Sequence, residues 1–280
     1  MKDCIELRQF DCLTAYVDYC DSVTHCNFHK GSEKSSDHGS AKWTGTKSYE
    51  HASKLVREGW AEGVRKVMTQ MSIISEGKDF VEMQHNDFDI IGVCPIVPAY
   101  LTGDPECMFN PCAIEERPIV NVVLDVSANA GVKPDHIVNR GAAILMFCSA
   151  LEQNGQRVAI HCSNVSRDSA GTGLWFAQIT QVKAAHLDFN IHTLSYAMVN
   201  PSMLRRHSFR CTEGLPKEHA HRFQCGYGQS ASLDEIEGIS ASIGDVDLYS
   251  PCITDKGIWN TVQGAVDSVE SMASEQGLIA

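Results

Sequence analysis

Three groups of side chains in this 280-residue chain have the types and spacing that chemistry uses. The first is Asp125-Val-Ser127-Ala-Asn129, directly after the apolar run 119–124. Asp125, Ser127 and Asn129 offer oxygen donors at alternate positions, and hard divalent cations such as Mg²⁺ or Mn²⁺ take oxygen ligands. A helix N-terminus follows, and its dipole favours an anion, such as an acidic partner residue that completes a cation's shell. The second group is Met203-Leu-Arg205-Arg206-His207-Ser-Phe209-Arg210, the densest basic run. On a helix, Arg206 and Arg210 share one face and Arg205 lies beside it. Such a face is either a solvated edge that pairs with carboxylates or a phosphate-contacting edge. With Trp43 and Trp60 as stacking platforms, the second version suits single-stranded nucleic acid. The third group is Cys20, His25, Cys26 and His29, with His219, His221 and Cys225 as partners from later in the chain. Zinc takes such ligands, and Cys26-x-x-His29 has usable spacing. The gap between Cys20 and Cys26 exceeds the usual zinc spacing, so polar loop residues and free thiols are the expectation, not zinc.

Catalytic motifs are missing. The chain has no G-x-S-x-G, no Walker loop and no G-x-G-x-x-G after a strand. Gly171-Thr-Gly173 and Gly226-Tyr-Gly228 read as turns, and Glu115-Glu116 as a solvated edge. His161 ends a strand near Asp125 but has no visible partner. The expectation is a binding protein, not an enzyme.

The formal net charge of -12 excludes a body coated in basic surface for duplex DNA, although a local basic groove is compatible with it. No apolar stretch is long enough to span a membrane. The N-terminus, MKDCIELRQFDC, has acids where a signal peptide has its apolar core. A soluble cytoplasmic protein is expected, with its 12 cysteines mostly free thiols and Cys148 a buried one.

The elements that must position these groups come from periodicity. Leu13, Tyr16, Val17 and Cys20 mark a helix over 11–20. The run 30–40, KGSEKSSDHGS, reads as a loop with a disordered tip. Ser48 caps a helix with Ala52, Leu55 and Val56 on one face; Gly59 breaks it, and another follows over 61–74. Residues 89–108, with Pro95 and Pro98, read as an extended, turn-rich connection. Strand 119–124, a helix from Pro134 to residue 153 ended by Gly155, and strand 157–162 form a β-α-β crossover. Residues 174–184 alternate as a third strand, placed at an edge, and 239–249 form a weaker fourth. Asn200-Pro201 divides a part-helical stretch over 189–209. A closing helix over 256–276 turns Ile258, Val262, Ala265, Val266, Val269 and Met272 inward. The fold expected is α/β, a largely parallel sheet flanked by helices in residues 117–280, with an irregular, mostly helical region 1–116 packed on it.

Two resemblances add to this reading. DVSAN after an apolar strand, then a helix and RVAIHCSN, resembles the opening of a von Willebrand factor A domain over residues 117–164. That family's metal-ion-dependent adhesion site begins Asp-x-Ser-x-Ser; Asp125 and Ser127 match, and Asn129 replaces the second serine. The resemblance implies a metal-dependent protein-binding module. It also implies a threonine and an aspartate from later loops, for which Thr212 and Asp255, in CITDKG, are the candidates. The blocks WTGTKSYEHASKLVREGW, AYLTGDPECM and NPSMLRRHSFR resemble a family of uncharacterised tailed-phage proteins, which implies the cytoplasm of a host cell. Two functions are therefore expected. One is a non-enzymatic phage adaptor that binds a protein partner. The other is a transcription or replication accessory that binds single-stranded DNA and recruits an RNA or DNA polymerase.

Overall fold

The computed structural model describes residues 4–23, 31–33, 40–75, 87–89, 94–95, 97–105, 107–110, 119–129, 131–169, 171–223, 227–231, 243–254 and 257–279. In chain order the elements are β1 (Cys4–Phe10), α1 (Leu13–Ser22), α2 (Ser40–Thr44), α3 (Tyr49–Glu58) and α4 (Ala61–Ser75). Then come β2 (Asp87–Asp89), β3 (Cys94–Pro95), α5 (Val97–Thr102), β4 (Met108–Asn110), β5 (Ile119–Asp125), α6 (Pro134–Gln153), β6 (Arg157–Arg167) and β7 (Trp175–Lys183). The chain closes with α7 (Ile191–Val199), a π-helical turn (Met203–Ser208), α8 (Phe209–Glu213), α9 (Lys217–Ala220), β8 (Gln229–Ser230), β9 (Leu248–Ser250) and α10 (Val262–Glu275).

The main sheet has the order β1-β7-β6-β5-β9, with β8 also pairing β6. The β1–β7, β5–β6 and β5–β9 ladders are parallel, and the β6–β7 and β6–β8 ladders antiparallel. This is the expected α/β class, with a mostly parallel sheet flanked by helices. Val120, Val122, Val123 and Leu124 of β5 are all buried, which is why its sequence is a run of apolar, largely β-branched residues. Each such side chain contributes roughly 1.5–3 kcal/mol when taken from water.

Helix α6 starts on Pro134 with Asp135 in its first turn, and the chain leaves it through Gly155 at φ 75°. It is buried on almost every face, because α7 and α10 cover the sides that the sheet does not. Gly141 permits this packing: a Cβ there would overlap the Met198 carbonyl oxygen of α7. The opposite sheet face carries a smaller cluster of Val123, Val165, Trp175, Ala177, Ile179 and Ala231.

Several elements differ from expectation. β1 is not legible in the sequence because CIELRQF alternates over only a few residues before Arg8-Gln9 interrupts the pattern. Arg8 folds back to donate to the Cys211 carbonyl at 2.8 Å and the Gly214 carbonyl at 3.2 Å. Because β1 takes the edge, β7 is an interior strand. The connection around Pro95 and Pro98 includes a small sheet, order β2-β4-β3, and a short helix. Pro95 lies in an outer strand and Pro98 in the first turn of α5, the places where a missing N–H is tolerated. At the C-terminal end Trp259 turns inward, and Ile258 is exposed. Among the described residues, no helix is long and apolar enough to cross a membrane.

Candidate functional site

β5 stops at Asp125, opposite Ser163, while β6 runs on to Arg167. Val126 N still donates to Ser163 O at 2.8 Å, and then the chain leaves the ladder. β8 resumes the pairing at Ser166, with Ala231 N donating to Val165 O at 3.1 Å. Asn164 lies in the gap, and the Ser127 hydroxyl donates to its Oδ1 at 3.0 Å. On the other flank Ile253 N donates to Ser127 O at 3.1 Å and Asn129 N to Ile253 O at 3.2 Å. The 125–129 loop is therefore fixed on both sides by the main chain.

Asp125 is fully buried. Its Oδ1 accepts from Ser127 N at 2.8 Å, and Oδ2 has no hydrogen-bond partner among the described residues. Burial pushes the carboxyl up to about 6, opposed by hydrogen bonding from Ser127, the Arg140 charge and the nearby Tyr249 hydroxyl. Arg140, on α6, is also fully buried, and burial pushes its guanidinium down to about 10 against the opposing charge of Asp125. Its Nη1 donates to Pro251 O at 2.7 Å, and its Nε has no partner among the described residues. The Ser163 and Ser250 hydroxyls, opposite Asp125 and Leu124 in the ladders, are buried and likewise have no partner among the described residues. Asn129 stands exposed at the loop's outer end.

This donor set is hard: one carboxylate oxygen with an open lone pair, hydroxyls and an amide oxygen. It fits Mg²⁺ or Mn²⁺ better than zinc. Asp125 and Ser127, with the Asn164 amide oxygen beside them, would hold the ion; the exposed Asn129 is not brought into this set. With one carboxylate and a guanidinium nearby, affinity would be modest. Of the family-implied partners, Thr212 lies in α8, where its hydroxyl accepts from Gln178 Nε2 at 3.0 Å and donates to Ser208 O at 2.9 Å. It is committed to that network and not to Asp125. Asp255 lies outside the described residues. His161 lies two ladder pairs before Ser163; its ring meets the Gln181 amide, and burial lowers its basicity.

The zinc group is only partly described: His25, Cys26, His29 and Cys225 lie outside the described residues. Cys20 is buried and its thiol donates to His207 O at 3.4 Å. Among the described residues no three His, Cys, Asp or Glu side chains are grouped to hold a metal. Cys148 is fully buried, and burial pushes its thiol up to about 12.

The basic run is not a solvent-facing edge of either kind. Arg205, Arg206 and Arg210 are all buried, because the π-helical turn and α8 pack between α1, α3 and α7. Arg205 donates to Trp43 O and, at 3.0 Å, to Val132 O. Arg206 donates to Ser32 O at 2.7 Å and Thr46 O at 3.1 Å. Arg210 pairs with Glu33. Main-chain carbonyls and a carboxylate of this chain take the places that phosphates would need. Trp43 does meet an arginine, with the Arg205 guanidinium 3.9 Å from its ring centre. Trp60 is buried, with its ring against Gly63.

Two polar networks were not legible in the sequence. His207 is fully buried; its Nδ1 lies 3.1 Å from the Tyr196 hydroxyl and its Nε2 3.4 Å from Ser53 Oγ. Burial pushes its imidazole down to about 4. Ser32, from the run read as a loose loop, is also fully buried and bonded to Glu213. The signal was present only as polar residues adjacent to apolar ones, which solvated loops share. No curated protein and no solved structure matches the chain. A family model matches residues 3–280, and the chain belongs to that family, described as a domain of unknown function (DUF7192).

Proposed function

We propose that this chain is a non-enzymatic protein-binding module that uses a divalent cation, Mg²⁺ or Mn²⁺, at the carboxyl end of β5. The observation that carries this reading is the fully buried Asp125 carboxyl, with Oδ1 tied to Ser127 N and Oδ2 without a partner among the described residues. A buried carboxylate with an open lone pair is costly unless a proton or cation meets it. Arg140 supplies part of that charge through space. The location also supports the reading, since open α/β sheets bind ligands outside the carboxyl ends of their strands. So does the likeness of the Asp125 loop to an adhesion-type metal site. The von Willebrand A-like reading expects the segment after the fourth strand beside this loop, and Ile253, two positions before Asp255, bridges Ala128.

A cation in this place would present an open coordination position to an acidic residue of a partner. The similarity of three sequence blocks to tailed-phage proteins supports action in the host cytoplasm, on a polymerase or another protein. The single-stranded DNA reading keeps one favourable observation, the Arg205–Trp43 stack, but its arginine N–H groups are bonded within the chain. Calorimetric titration of Mn²⁺ into EDTA-treated protein tests the proposal. One site is expected, and it is lost in Asp125→Ala; no heat of binding would count against it.

A further inference from the structure

Residues Gly31, Ser32 and Glu33 sit in the fold as a bound peptide would. Every polar group of Ser32 is met: its N–H donates to Glu213 Oε1 at 3.0 Å, its hydroxyl to Glu213 Oε2 at 2.5 Å, and its carbonyl accepts from Arg206 Nη1 at 2.7 Å. Gly31 N donates to the Tyr227 hydroxyl at 2.8 Å, and that hydroxyl donates to Glu213 Oε1 at 2.5 Å. Glu33 pairs with Arg210. Glu213 is fully buried, and its charge faces Arg210 at 3.7 Å.

The contacts define a preference at each position. A Cβ on residue 31 would overlap the Tyr227 hydroxyl, so any residue but glycine must displace that ring. The next position needs a short hydroxyl donor, and the third an acid for Arg210. The walls also have contacts that do not involve the segment. Gln178 Nε2 holds Ser208 O and Thr212 Oγ1 at 3.0 Å each, Arg8 holds the Cys211 and Gly214 carbonyls, and Phe209 stacks on Tyr227 with ring centres 3.8 Å apart. Tyr227 is also the one non-glycine residue with positive φ, at 67°, among the described residues. Strain of this kind persists where the surroundings fix it, and here it aims the hydroxyl at the segment.

We infer that Glu213, Arg206, Arg210 and Tyr227 form a peptide-recognition socket for a Gly-Ser-acidic sequence, occupied here by the chain's own Gly31-Ser32-Glu33. A protein partner that carries such a sequence would compete for it. This inference stands apart from the cation reading and shares no residue with it. Self-occupancy lowers the apparent affinity for a free peptide by the fraction of time that the socket is open.

The test is fluorescence anisotropy with a labelled synthetic peptide, KGSEKSS, on wild type and on the Ser32→Ala/Glu33→Ala chain. The double variant should bind it roughly tenfold or more tightly than wild type. Adding Glu213→Gln should remove that binding, and a KGAAKSS peptide should not bind. If the double variant loses its cooperative melting transition, Glu33→Ala alone, which removes the ion pair with Arg210 and keeps Ser32, takes its place with the same readout. No binding to the relieved chain, equal binding to wild type, or binding indifferent to Glu213→Gln would overturn the inference and leave the segment a structural latch.

Discussion

Ala128 and Ile253 form a parallel bridge just beyond the ends of β5 and β9. It ties the loop after Asp125 to the chain after β9, while Ser127 and Asn164 tie the same loop to β6. Asp125 and Ser127 are thereby held in one arrangement before any ligand arrives. A preorganised pair of this kind loses little conformational freedom on binding.

The charge state of Asp125 should be visible in stability. Its folded carboxyl titrates near 6, above its ordinary range. Between about pH 4 and 6 the folded chain holds a proton that the unfolded chain has released, so this group's contribution falls as pH rises through that window. In EDTA, Asp125→Asn should gain on wild type by up to about 3 kcal/mol between pH 4 and pH 7, measured by urea unfolding at both. A wild-type-to-variant difference that is flat with pH contradicts this account of the site.

His207 should act in the opposite direction. Its imidazole is held down at about 4 in the folded chain, so it is neutral there at pH 6. As pH falls from the ordinary histidine range toward 4, the unfolded chain takes up a proton that the folded chain refuses, and stability is lost. His207→Gln should be less stable at pH 7 but lose less on acidification, by up to about 3 kcal/mol. Thermal melts across pH 4.5–7 check this, and a parallel pair of curves rules it out.

Arg206→Lys should be strongly destabilising. The guanidinium bonds Ser32 O, Thr46 O and Thr44 Oγ1 from a fully buried position, and a lysine ammonium cannot reach that spread. A loss of about 3 kcal/mol in urea unfolding is expected, as for a buried charge that loses partners. A change under about 0.5 kcal/mol, typical of surface sites, would place the residue outside the core.

Much of the fold was legible because its periodicities are local. Strand 119–124, helix 134–153 and the Ser48 cap follow from residues within a turn or two of each other. What stayed hidden depended on distant partners. β1 is a strand because β7 lies beside it, and Arg8 is tolerated there because carbonyls more than 200 residues away accept its N–H groups. The basic run looked solvated because arginines usually are. Nothing near it in sequence shows that Trp43, Val132, Ser32 and Thr46 will turn their carbonyls toward it. At the site, Asp125 and Ser127 were legible as a pair. Arg140 and Asn164 were not, since one is a mid-helix arginine and the other continues a strand read as ending at 162.

Gly141→Ala tests the helix packing behind the loop. An added methyl meets the Met198 carbonyl, so α6 and α7 must move apart. A loss of about 1–3 kcal/mol is expected in urea unfolding, as for overpacked cores. An unchanged midpoint would mean that the two helices are not in this contact.

The most direct test of the cation claim is the melting temperature of EDTA-treated chain with and without millimolar Mg²⁺ or Mn²⁺, beside Asp125→Ala under the same conditions. Binding to the folded state alone must raise the midpoint. The account predicts a rise in the wild type and none in the variant. An unchanged wild-type midpoint with both ions, or an equal rise in Asp125→Ala, contradicts it.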